Sequence, residues 1–144
     1  MMQSILTVCI GNICRSPMAE GLLAAALPHM AVASAGTGAL IGERADALAR
    51  ELMQRRGISI EDHRARQVMR EMCQQADIIF VMDNEQRRYL EEKYPFTCGK
   101  VFRLCEHAKQ DVPDPYRQPQ AAFEQSLTLI DQGVSDWLSR IARL

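Results

Sequence analysis

The chain has 144 residues, 47% hydrophobic and 24% charged, with a formal net charge of -1, which suits one domain over residues 1–144 and a core large enough to fold without disulfides or a structural metal. The balanced charge leaves no electrostatic footprint for nucleic acid or an anionic membrane. No apolar run reaches the ~18 residues that span a bilayer, and the N-terminus lacks the basic n-region of a signal peptide. Cysteines stand at 9, 14, 73, 98 and 105, an odd and irregular set that predicts free thiols in a reducing cytoplasm and no secreted disulfide framework.

Strand and helix patterns alternate along the chain. Ser4 to Cys9 is a short apolar, β-branched run ending in a Gly-containing turn, the pattern of a buried strand. Ser16-Pro17 reads as a helix start, with Ser16 as N-cap and Pro17 at the first helical position. Met18, Leu22, Leu23, Ala26 and Leu27 follow at helical spacing until Pro28 stops them. A second strand is predicted over Met30 to Ala35, and a helix over Ala45 to Arg56 with Gly57 as its C-cap. A shorter helix spans Val68 to Gln75, and Asp77 to Met82 is the most strand-like segment of all. Asn84 to Tyr94 reads as a helix ended by Pro95, and Lys100 to Leu104 as the fourth strand. Pro119 to Leu144 carries Phe123, Leu127, Ile130, Val134, Trp137, Leu138 and Ile141 on one helical stripe. Strands separated by helices predict a single-domain, doubly wound α/β fold: a four-stranded parallel sheet with helices on both faces. Ligands of such folds sit beyond the carboxyl ends of the strands.

The turn after the first strand reads Cys9-Ile10-Gly11-Asn12-Ile13-Cys14-Arg15-Ser16-Pro17. Cys-x5-Arg spacing alone is common by chance; its place between a strand end and a helix start gives it weight. Loop N–H groups and a helix N-terminus can converge there on a tetrahedral oxyanion, and dipoles so arranged favour a thiolate over a thiol. Arg15 adds a planar fork for two phosphoryl oxygens, and the Ser16 hydroxyl can donate to the thiolate. A thiolate under a phosphate cradle is a nucleophile aimed at phosphorus. The loop lacks the Gly-Lys-Ser/Thr of a Walker loop and the glycines of a dinucleotide fingerprint. A phosphate ester cleaved this way needs a proton donor for its leaving oxygen. Pro113-Asp114-Pro115-Tyr116 offers a carboxyl held by two prolines with an aromatic beside it, although an ordinary Asp-Pro turn reads the same way.

Val8 to Pro17, together with Ser34-Ala35-Gly36-Thr37, His63 to Gln67, Ile79 to Asp83 and Asp114-Pro115-Tyr116, resembles the low-molecular-weight protein-tyrosine phosphatases, and bacterial members associated with exopolysaccharide production most of all. The resemblance implies Cys9 as nucleophile, Arg15 as phosphoryl ligand and Asp114 as general acid and then base. It implies Ile10, Gly11, Asn12, Ile13, Cys14, Ser16, Leu40 and Tyr116 around the substrate, with no metal and no cofactor. It also implies a phosphotyrosine protein substrate, a bacterial tyrosine autokinase, and a cytoplasmic location. Where animal members carry an aromatic after the second strand, this chain has Leu40 and Ile41, and Arg117 follows Tyr116 where many members have a second aromatic. Arg117 is therefore expected to favour acidic or multiply phosphorylated tails. A reversible Cys9–Cys14 disulfide is expected on oxidation.

Three other readings compete. Thiol-dependent arsenate reductases share the cradle, and Cys98-x6-Cys105 has a relay-like separation but flanks the fourth strand, the place of core thiols. A non-catalytic phosphotyrosine-binding module would not need Cys9, Arg15 and Asp114 together. A phosphate-receiver domain needs carboxylates where the first strand ends in Cys9. Elsewhere His63 and His107 read as structural or exposed, Met69 and Met72 as core fillers, Trp137 as a helix anchor, and Arg64, Arg66 and Arg70 as a solvated face.

Overall fold

In the computed structural model, which describes residues 2–142, β1 (Ser4–Cys9), β2 (Ala31–Gly36), β3 (Ile78–Val81) and β4 (Val101–Arg103) form one parallel sheet in the order β2-β1-β3-β4. Helices α1 (Arg15–Ala26), α2 (Ala47–Arg55), α3 (Arg70–Gln75), α4 (Asn84–Lys93) and α5 (Gln120–Ile141) connect and cover it. This is the expected doubly wound α/β architecture. The last two residues of the helix predicted to Leu144 lie outside the described residues.

The strand pleat divides the core in two. Ile5 and Cys9 of β1, Ile78 and Phe80 of β3, and the following Met82 join one apolar cluster with α1, α2 and α5. Leu6 and Val8, with Ile79 and Val81, join the other under α3 and α4. Successive side chains thus bury on opposite faces, which is why these strands read as unbroken apolar runs. On the first face Trp137 donates to the Leu104 carbonyl at 2.9 Å and stacks, tilted, 4.9 Å from Phe80 and 5.3 Å from Phe102, anchoring α5. Gly133 lets α5 approach β4: a Cβ there would stand 2.7 Å from the Leu104 carbonyl oxygen.

Several element boundaries differ from expectation, each for a local reason. Helix α1 starts at Arg15, and Ser16 is not its cap, because the Ser16 hydroxyl turns to Cys9 and Asn12. Helix α2 starts at Ala47 because the Asp46 side chain accepts the Leu48 N–H at 2.9 Å. Helix α3 starts at Arg70 because Val68 donates to the Gly36 carbonyl and Met69 remains extended. A 3₁₀ turn at Pro95–Thr97 went unpredicted. Met69 is exposed and no core filler, Cys98 is exposed and no core thiol, and Arg66 binds the Ser34 carbonyl through Nε at 3.0 Å.

In the order 2-1-3-4 the chain leaves β1 for β2 on one side and reaches β3 on the other. The crevice between those connections opens at the carboxyl end of β1, where Cys9 stands.

Candidate active site

Loop 9–15 has a polarity imposed by its neighbours. The carbonyls of Cys9, Ile10, Gly11 and Ile13 accept from the backbone N–H groups of Thr37, Gly38, Leu40 and Asp46 at 2.8–3.0 Å. The Asn12 carbonyl lies 2.6 Å from His63 Nε2. With its carbonyls tied outward, the loop turns its amides inward, and among the described residues the N–H groups of Gly11, Ile13, Cys14, Arg15 and Ser16 have no protein acceptor. Together with the start of α1 they form an anion-binding concavity. Asn12 makes the bend possible with φ 60°, a left-handed conformation that Asn tolerates better than most residues. Gly36 is required behind it, since a Cβ there would collide with the Ile10 carbonyl oxygen.

The thiol sits at the base of this loop. Cys9 Sγ accepts from the Asn12 N–H at 3.3 Å and lies 2.9 Å from Ser16 Oγ. The direction of the Ser16 contact follows from a chain of hydrogen-bonded partners. Glu20 Oε1 accepts from the Ser34 hydroxyl at 2.5 Å, so Ser34 Oγ in turn accepts from Asn12 Nδ2 at 3.0 Å. Asn12 Oδ1 accepts the Arg66 N–H at 2.9 Å, which orients the amide and directs Nδ2 at Ser16 Oγ as well, at 2.8 Å. The Ser16 proton is left to donate to Cys9. The Glu20 carboxylate, four contacts away, thereby helps to direct the Ser16 hydroxyl at the sulfur, beside the Asn12 N–H.

Arg15 is 2% exposed. Nη1 donates to the Val112 carbonyl at 2.9 Å and lies 3.8 Å from Asp83 Oδ2, while Nη2 lies 3.6 Å from Asp114 Oδ2. Its Nε is buried without any partner, an uncommon condition for such a donor. A cavity of about 140 Å³ covers this end of the sheet. Of the residues singled out from the sequence, Cys9, Ile10, Gly11, Ile13, Cys14, Arg15, Leu40, Asp114 and Tyr116 line it. Asn12 and Ser16 stand behind it, in the hydrogen-bond chain. The Asp114 loop is held by its own contacts: Tyr116 N–H donates to Asp114 Oδ1 at 3.1 Å and Ser126 Oγ to the Pro113 carbonyl at 2.8 Å.

Sequence reasoning missed Glu20, Ser34, Asp83 and Gly38 as parts of the site, and left His63 as generic. Ser34, His63 and Asp83 lie in segments that carry the family resemblance, and Asp83 also stands just beyond the carboxyl end of β3, where ligands of such folds sit. Burial pushes the Cys14 thiol far above its usual range, reinforced by Asp46, Cys9 and Asp114 and opposed by Arg15. Cys98 and Cys105 lie on either side of β4; burial raises the Cys105 thiol to about 11, and it donates to the Leu129 carbonyl at 3.1 Å.

Residues 4–144 match the family model described as low molecular weight phosphotyrosine protein phosphatase. The chain belongs to that family. It is 48% identical over its whole length, and over 99% of the relative's, to the probable low molecular weight protein-tyrosine-phosphatase EpsP of Ralstonia nicotianae. It is 40% identical to the phosphatase Wzb of Salmonella typhimurium over 95% of this chain and 93% of that one. The crystal structure of the Erwinia amylovora tyrosine phosphatase AmsI superposes with a TM-score of 0.93 at 38% identity, covering 97% of this chain and 93% of that one. Wzb from Escherichia coli K30, solved in complex with sulphate, gives 0.93 at 32%, covering 98% and 99%. Among the described residues of this phosphatase, no helix is long and apolar enough to cross a membrane.

Proposed function

We propose that this phosphatase hydrolyses phosphotyrosine in protein substrates through a covalent phosphocysteine on Cys9. The observation that carries the reading is the set of unpartnered donors over Cys9: the inward amides of the loop and the buried Nε of Arg15. Buried donors are costly to leave unmade, and a phosphoryl group bound above the thiol would satisfy them all. The Cys9 thiolate attacks phosphorus in line with the tyrosine oxygen, the S–P bond forming as the P–O bond breaks. Arg15 and the loop amides hold the three equatorial oxygens, a preorganised arrangement that needs no rearrangement as charge shifts. Asp114 gives its proton to the departing phenolate and then takes one from the water that cleaves the S–P bond, releasing inorganic phosphate and restoring the thiolate. General acid–base help of this kind is worth about 10²–10⁴ in rate. When the phosphoryl group engages Arg15, Asp114 exchanges its ion pair for the leaving oxygen. Ile10, Leu40 and Tyr116 supply apolar walls for the tyrosine ring.

The family resemblance extends the proposal to a bacterial tyrosine autokinase of exopolysaccharide or capsule production as the protein substrate, met in the cytoplasm. The test of the chemistry is phosphate release from a phosphotyrosine peptide in the presence of a chelator. Turnover by the unmodified protein, none by Cys9→Ser, and a fall of about 10²–10⁴ in Asp114→Asn are expected. A reduced protein that leaves the peptide intact, or a Cys9→Ser variant that turns over normally, overturns it.

A further inference from the structure

The loop that carries Asp114 holds a strained residue that the chemistry above does not use. Gln118 N–H donates to the Pro115 carbonyl at 2.8 Å, closing a turn with Tyr116 and Arg117 at its central positions. Arg117 has φ 62°, a conformation that turns normally give to Gly or Asn and that a Cβ makes unfavourable. Pro113, Pro115 and Pro119 and the contacts of Pro113 and Tyr116 leave the backbone little freedom to relieve it. Strain kept in a site loop points to what the side chain does.

The side chain has no partner that would explain its retention. Its guanidinium carbon lies 5.2 Å from the centroid of the Tyr116 ring, and stacking of this kind leaves the N–H edge of arginine open. The acidic groups of the same loop are engaged elsewhere: Asp111 with Arg103 at 3.1 Å and Asp114 with Arg15. Among the described residues Arg117 enters no ion pair and no hydrogen bond. Tyr116 lines the cavity over Cys9, so an unpaired cation stands one aromatic ring from a bound phosphotyrosine.

We propose that Arg117 is a specificity-determining residue that pairs with an acidic side chain flanking the phosphotyrosine, which makes acidic tyrosine-phosphorylated segments the preferred substrates. This rests on the phosphatase reading above. The test compares kcat/KM for two phosphotyrosine peptides that differ only in Glu or Gln at the flanking positions. An exposed pair of this kind supports a preference of roughly two- to fivefold for the acidic peptide, falling as salt is raised. Arg117→Gly is expected to remove the preference without lowering Tm, because Gly suits the left-handed turn. Arg117→Glu is expected to invert it. Turnover of both peptides at a ratio indifferent to residue 117 overturns this inference and leaves the phosphatase reading standing. Turnover of neither peptide by the unmodified protein overturns both.

Discussion

The two ends of the sheet treat their polar groups in opposite ways. At the amino end of the strands, donors of the described residues meet acceptors. Asp77 Oδ2 accepts the Gln3 and Ser4 N–H groups at 2.7 and 3.0 Å, Ser4 Oγ donates to the Gln75 carbonyl at 2.6 Å, and Lys100 Nζ donates to the Ala76 carbonyl at 2.7 Å. At the carboxyl end the acceptors are tied away and the donors are left over: the amides of Gly11, Ile13 and Cys14, and Nε of Arg15. Both ends carry a carboxylate at a border of β3, Asp77 before it and Asp83 after it. Asp77 completes backbone groups, whereas Asp83 caps α4 through the Gln86 N–H and also faces Arg15, whose Nε has no partner. Closure of this kind marks structure, and a one-sided surplus of donors marks a place for an anion.

That contrast can be broken most forcefully at Arg15. Arg15→Lys keeps the charge and loses the fork, and kcat is expected to fall about 10²–10³, the effect of deleting one oxyanion donor. A loss under tenfold in steady-state kinetics would mean that the open N–H edge does not hold the phosphoryl group. Gly36→Ala tests whether the loop's shape depends on its backing. The added Cβ meets the Ile10 carbonyl oxygen, so a destabilisation of about 1–3 kcal/mol by denaturant melts is expected, with activity reduced alongside. Glu20→Gln removes the carboxylate that sets the direction of the hydrogen-bond chain to Cys9. A three- to tenfold drop in kcat, worth about 1 kcal/mol, is expected; an unchanged kcat would show that Asn12 orients Ser16 unaided.

The smallest effect belongs to the closed end. The Gln3 and Ser4 amides hold the Asp77 carboxyl below its usual value of 3.8. A carboxyl lowered in the folded state contributes stability that is complete above its unfolded value and is lost as pH falls through the folded one. Asp77→Asn should therefore cost about 0.5–1 kcal/mol, the low end for a carboxylate open to solvent. The gap should be constant across neutral pH, close below about pH 4, and leave kcat untouched. Thermal melts at pH 7 and pH 3 read the difference directly.

What the sequence determined by itself is what depends on neighbours along the chain. The apolar runs of β1 and β3, the helical stripe of α5 and the Cys9–Arg15 turn are written in consecutive residues, because strand burial, helix amphipathicity and a loop between them are local patterns. The same local logic misled at Ser16, where a good capping residue gave its hydroxyl to Cys9 instead. Tertiary structure alone decided the rest. Arg15 meets Val112 and Asp114 from a loop nearly a hundred residues away, and Asn12 meets Ser34 and Arg66 across two connections. Gly36 is needed only because the sheet brings it under Ile10. The direction of the proton chain from Glu20 to Cys9 is a property of several segments at once, and no single segment carries it. A hydrogen bond depends on the three-dimensional separation and orientation of its partners, and the fold brings together residues that no periodicity along the chain connects.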